Sequence, residues 1–142
     1  MKTQNYKNHT RLVPWYHGFT LPALLVLIFG AIWNLVYSTD ANYYDALLLV
    51  LVMIILCSLY IHGRSFALRA QDRAIRAEES LRHFILTGKR LDTRLTTRQV
   101  IALRFASDEE FPSLAQKAAE ENLGNKEIKK LIRNWRPDYW RV

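Results

Sequence analysis

The chain has 142 residues, a formal net charge of +7 and 50% hydrophobic residues, with a mean hydropathy of -0.09. That average combines two regimes: residues 1–63 hold long apolar stretches, whereas residues 64–142 are polar and carry 17 Lys/Arg against 11 Asp/Glu. The second part is too short for a large enzyme core, because small domains bury a limited fraction of their surface, and the single cysteine, Cys57, excludes an intrachain disulfide.

A leader with Lys2, Lys7 and Arg11 precedes Phe19–Tyr37, nineteen residues without a charge. Ala46–Ile61 gives sixteen more, extended by Tyr43, Tyr44 and His62 as interfacial ends. A spanning helix needs roughly 20 mostly apolar residues at about 1.5 Å rise each. Neither stretch alternates as a barrel strand does, which leaves helices as the way to satisfy the backbone in lipid. The expected organisation is a leader at 1–18, transmembrane helices at about 19–37 and 44–62, and a short outside turn at 38–43. The first stretch is longer than a signal-peptide core and lacks a small-residue cleavage pattern after Asn34–Leu35–Val36–Tyr37, so a retained anchor is expected. No Lys or Arg lies between Arg11 and Arg64, the turn carries Asp40 and Asp45, and Arg64, Arg69, Arg73 and Arg76 follow the second stretch. The positive-inside rule then puts both termini in the cytoplasm.

Trp15 and Tyr16 at one end, and Tyr37, Tyr43 and Tyr44 at the other, suit aromatic belts at the headgroup level. Pro22 falls in the first turn of helix one, where its missing donor costs little. Gly30 and Asn34 are four apart and share a helix face, a combination that permits close approach and an interhelical amide bond. They are the candidate intramembrane packing residues, either within the hairpin or against another membrane protein. No ionisable side chain lies inside either stretch, so transport or proton relay is not indicated. His17 and His62 sit at the stretch ends, as interfacial residues do.

After Gly63 the helical pattern continues. Ala70, Ala74, Ala77, Leu81 and Phe84 recur at 4-3-4-3 spacing on one stripe. The expectation is that this stripe packs against later helices of the same chain; a seam between copies is the alternative, though fewer than three heptads are present. Asp72–Arg76 and Glu78–Arg82 are spaced as i,i+4 ion pairs. With no proline to interrupt it, helix two is expected to run on to about Leu86 and stop at Gly88. Three shorter helices follow, at about 97–106, 108–123 and 126–136. Thr96 and Gln99 make a capping box, and Ser107 with Glu110 suggests another, although Pro112 falls awkwardly beyond that first turn. Asn125 is the expected cap of the last helix, with Ile128, Leu131, Ile132 and Trp135 as its buried stripe. The predicted fold class is an all-α membrane protein: an N-terminal two-helix transmembrane hairpin whose second helix extends into a small basic cytoplasmic helical domain over 63–142.

The run RSFALRAQDRAIRAEESLRHF from Arg64, then LTGKRLDTRLTTRQVIALRFASDEEFPSLAQKAAEEN, and the final IKKLIRNWRPDYWRV resemble an uncharacterised family of small two-span bacterial membrane proteins, a domain of unknown function found chiefly in Bacteroidota. The likeness runs from the Pro14–Trp15 leader to the carboxyl end. It implies a bacterial inner membrane location, two spans and a helical cytoplasmic tail. It carries no catalytic or ligand residues to transfer.

Catalytic chemistry is not indicated by the residues. The histidines His9, His17, His62 and His83 are scattered, and Glu79 with His83 supplies two ligands where zinc needs more. Five unclustered glycines make no phosphate loop. No enzyme activity, metal or cofactor is expected. The basic residues are more suggestive. Arg64, Arg69, Arg73 and Arg76 are candidate contacts for anionic phospholipid, each gaining about 1 kcal/mol close to the leaflet. Trp135, Tyr139 and Trp140 interleave with Lys126, Lys129, Lys130, Arg133, Arg136 and Arg141 and are candidate partner-binding residues. Nucleic acid, including ribosomal RNA, is a weaker reading, because acidic residues dilute the basic signal. The expected function is a non-enzymatic scaffold or accessory subunit that mediates protein–protein association, with lipid or polyanion binding and homo-oligomerisation as alternatives.

Overall fold

The computed structural model describes residues 5, 6, 8 and 12–138. The fold is all-α, with five α-helices among the described residues: α1 (Leu21–Val36), α2 (Tyr43–Thr87), α3 (Thr97–Leu103), α4 (Phe111–Glu120) and α5 (Asn125–Leu131). A π-helical segment, Pro14–Thr20, leads into α1. Two of these helical stretches, Pro14–Val36 and Tyr43–Thr87, are long and apolar enough to cross a membrane. The described residues form two compact units, 12–67 and 68–138 together with 5, 6 and 8, and α2 contributes to both.

In the first unit, Pro14 opens the π-helical segment. Pro22 is the second residue of α1 and has no N–H to offer the preceding turn. The wider turn is closed by the Leu21 N–H donating to Tyr16 O, five residues back, and by the Thr20 hydroxyl donating to Trp15 O at 3.0 Å. Ala31 of α1 is buried, as are Ala46 and Met53 of α2. Most other apolar side chains face outward: Val26 is 70% exposed, Phe29 68% and Ile54 59%. A water-soluble helix pair would turn such residues inward, since burying one is worth about 1.5–3 kcal/mol.

The second unit is built around Val100, Leu103, Phe105, Phe111, Ala118 and Ile128, all fully buried. α3 packs against both α4 and α5. Thr96 caps α3 as a capping box: the Gln99 N–H donates to Thr96 Oγ1 at 3.4 Å, and the Thr96 N–H donates to Gln99 Oε1 at 2.7 Å. Gln99 also donates from Nε2 to Leu123 O at 2.9 Å, tying α3 to the loop after α4. α2 ends at Thr87, followed by Gly88 at φ 70, the left-handed conformation that glycine adopts without penalty.

Three helix ends differ from expectation. α4 begins at Phe111 with Pro112 in its first turn, and the Ser107–Glu110 box does not form. Instead the Phe111 N–H donates to Ser107 O, and the Glu110 carboxylate accepts from the backbone of Arg133 and Asn134 at 3.1 and 3.3 Å. Gly124, not Asn125, is the N-cap of α5, where its N–H donates to Glu127 Oε2 at 2.6 Å. α5 stops at Leu131, because Ile132 itself turns extended and leads the chain into residues 133–136. They pair with the segment after α3: Ala106 and Trp135 form an antiparallel bridge, Ser107 N–H donates to Asn134 O, and Arg136 N–H donates to Phe105 O at 2.7 Å. Backbone pairing there replaces the last helical turns.

Candidate functional site

In the first unit, Tyr16 and Tyr60 stack with ring centroids 4.2 Å apart and planes 7° from parallel. Each hydroxyl donates to the other residue's carbonyl, Tyr16 to Tyr60 O at 2.7 Å and Tyr60 to Tyr16 O at 3.1 Å. The Arg64 guanidinium lies 5.2 Å from the centre of the Tyr16 ring, within cation–π range. This latch joins the π-helical segment to α2. Nothing in the sequence pattern singled out the pairing of Tyr16 with Tyr60, since it depends on how the two helices are registered.

Gly30 and Asn34 do not pack within the hairpin. Both are exposed, and nothing lies within 4 Å of where a Gly30 side chain would begin. The groove between α1 and α2 is lined instead by Ile28, Ala31, Ile32, Val50, Met53 and Cys57. Ala31 provides the close approach, and the Gly30–Asn34 face turns outward.

In the second unit the packed face of α2 is polar in part. Ile75 and Glu79 are buried. Arg82 donates from Nη1 to Glu79 Oε2 at 2.9 Å, from Nε to Asp108 Oδ1 at 2.7 Å and from Nη2 to Ala106 O at 2.8 Å. Its guanidinium lies 4.6 Å from the centre of the Phe111 ring. The expected Glu78–Arg82 ion pair is therefore not made. The Asp72–Arg76 pair is not made either: Arg76 donates from Nη1 to Leu95 O at 3.0 Å and to Thr97 Oγ1 at 3.3 Å. Arg76 holds the α2–α3 connection, which removes it from the proposed lipid contacts. Arg69 and Arg73 are exposed.

The alanine stripe is a larger correction. Ala70, Ala74, Ala77, Leu81 and Phe84 are all exposed, on the side of α2 opposite Ile75, Glu79 and Arg82. The later helices pack on the mixed face because its carboxylate and guanidinium neutralise each other there, leaving the more apolar stripe uncovered. Trp135, expected as a partner anchor, is a half-buried wall of the core, with its ring 5.1 Å from Phe105 and its backbone in the bridge to Ala106. Tyr139 and Trp140 lie outside the described residues.

Carboxylates at the start of α4 are structural, with Asp108 held by Arg82 and Glu110 by backbone N–H groups. Arg104, buried, pairs from Nε with Asp138 Oδ2 at 3.1 Å. In the turn before α3, the guanidinium and backbone N–H of Arg94 donate to Asp92 and hold its carboxyl down at about 2. No group of three or more His, Cys, Asp or Glu residues is arranged to hold a metal among the described residues.

These features define an all-α protein with two long apolar helices, a compact helical unit and an uncovered helix face. The chain belongs to the family of unknown function DUF6526, whose model matches residues 1–142. No curated protein and no solved structure matches it.

Proposed function

We propose that the chain is a non-enzymatic accessory subunit or scaffold of the bacterial inner membrane, anchored by two spans with both termini in the cytoplasm, whose helical unit associates with protein at the cytoplasmic face. The observation that carries the association reading is the exposed stripe on α2. Leu81 is 60% exposed, Phe84 52% and the neighbouring Ile85 73%, on a helix whose opposite side carries the buried Ile75 and Glu79. Apolar surface of this kind marks an interaction site. Exposure of Val26, Phe29 and Ile54 supports the anchor, with lipid as the medium that covers them. The outward face bearing Gly30 and Asn34 supports a helix contact within the bilayer.

Two experiments test this reading. With Cys57 replaced by alanine, a cysteine at Thr39 is expected to react with a membrane-impermeant thiol reagent in intact spheroplasts, and one at Glu121 to react after permeabilisation. The reverse pattern removes the cytoplasmic assignment. Benzophenone crosslinkers placed at Asn34 and Leu81 in native membranes are expected to yield a stoichiometric protein adduct. Phospholipid adducts alone contradict association.

Exposed Arg69, Arg73, Lys126, Lys130, Arg133 and Arg136 favour a second reading, binding of anionic lipid. It requires vesicle binding that falls steeply with salt and loses similar amounts for each charge removed.

A further inference from the structure

We infer that the partner of the exposed α2 face is a second copy of this chain, packed in parallel and in register along Ala70–Phe84; this deepens the association reading and rests on it. The spacing assigns Ala70, Ala77 and Phe84 to the d positions of a heptad and Ala74 and Leu81 to the a positions. Ile75, Arg76, Glu79 and Arg82 then fall at b, c and f, on the far side of the helix, where the chain's own helices already occupy them. The a/d side carries the exposed residues of the helix, with Arg136–Asp138 flanking it beside Ala74 and Glu78 and Arg90–Leu91 flanking it beside Leu81 and Phe84.

Charge selects the occupant and its direction. Arg73 falls at g and Glu78 at the following e, both are exposed, and neither makes an ion pair among the described residues. In a parallel, in-register pair, g of one helix meets the next e of the other. Arg73 of each copy then faces Glu78 of its partner twice over by the two-fold symmetry. An antiparallel pair sets g against g and e against e, so Arg73 and Glu78 do not meet. The same parallel register puts Ile85, at e, over Ser80, at g, of the partner, covering the most exposed apolar side chain of the unit. Ala70, Ala74 and Ala77 let the helices approach closely, and Leu81 and Phe84 fill the space beyond them.

The test uses the full chain in native membranes with Cys57→Ala. Ala74→Cys and Ala77→Cys replace seam residues with a thiol close to alanine in size, and Arg69→Cys provides an exposed position on the far side. Mild oxidation is expected to link most of the Ala74→Cys and Ala77→Cys chains into dimers and few of the Arg69→Cys chains. Adding Arg73→Glu sets like charges together at two symmetric positions and is expected to weaken association about tenfold. Arg73→Glu with Glu78→Arg restores the pairing and is expected to recover the dimer. Equal crosslinking at all three cysteines, or a charge reversal without effect, overturns the inference. A different protein trapped by a crosslinker at Leu81 also overturns it while leaving the association reading standing. Phospholipid as the sole adduct removes both.

Discussion

Arg82 is the side chain whose loss should be felt most widely in the helical unit. Arg82→Ala removes the cation that Glu79 faces while leaving that carboxylate buried. Both side chains are about one-tenth exposed, 11% and 9%. Removing one partner of a buried pair costs about 3–5 kcal/mol, most of it from the charge left behind. The second pair adds little, because Asp108 is 61% exposed and solvent screens it. The lower end of that range, about 3 kcal/mol, is therefore expected. For a domain of this size each kcal/mol moves the midpoint by about 4–8 °C, so the unfolding transition should fall by more than about 10 °C. The assay is thermal unfolding of the full chain in mild detergent, followed by hydrogen exchange of α3 and α4 amides. Glu79→Leu combined with Arg82→Leu should regain much of the loss, because it leaves no buried charge. A shift under about 3 °C for Arg82→Ala, or a double variant no better than the single one, refutes the assignment of Arg82 and Glu79 as a coupled buried pair.

Three further outcomes follow from the turns around α3. Gly88→Ala forces a side chain into the left-handed conformation with no contact to relieve or worsen it, and should destabilise the unit by about 1 kcal/mol, read as a lower unfolding midpoint. Thr96→Ala removes the acceptor at the start of α3 and should cost about 1 kcal/mol, with faster amide exchange at Gln99; Thr96→Ser should behave as the original. The Asp92 carboxyl should titrate at about 2 by NMR in the folded chain, against an ordinary 3.8. Because the folded value is depressed, its contribution to stability is present above about 4 and is lost as pH falls towards 2. Arg94→Ala should return the Asp92 midpoint towards the ordinary value, and an unchanged midpoint argues against the Arg94 contacts as the cause.

Much of the helix order is legible in residues that act locally. The uncharged runs around Ala31 and Met53, the glycine after Thr87 and the Thr96–Gln99 box each need only their own neighbours. What was not legible depends on distant partners. Apolar periodicity pointed to Ala70–Phe84 as the packed side of α2, but the unit packs on Ile75, Glu79 and Arg82. The 4-3 spacing of those three was the available signal, and it is masked because two of them are charged. In the sequence Trp135 reads both as part of the buried stripe of the last helix and as a partner-binding residue; its ring does pack on Phe105, but its backbone bridges Ala106 instead of continuing the helix. Glu110 had the spacing of a capping box but serves the backbone of Arg133 and Asn134 instead. Gly30 and Asn34 share one face of α1 by their spacing, yet periodicity alone does not say which neighbour that face meets.

The central claim is association through an anchored helical unit, and the most direct measurement is the mass of the intact complex released from native membranes in lipid nanodiscs. The expected result is a complex of at least two polypeptide chains, two copies of this one at its heart, that falls to one chain with Arg73→Glu and is recovered with Arg73→Glu and Glu78→Arg together. A single chain carrying phospholipid alone, across mild salt concentrations and unchanged by either variant, contradicts it.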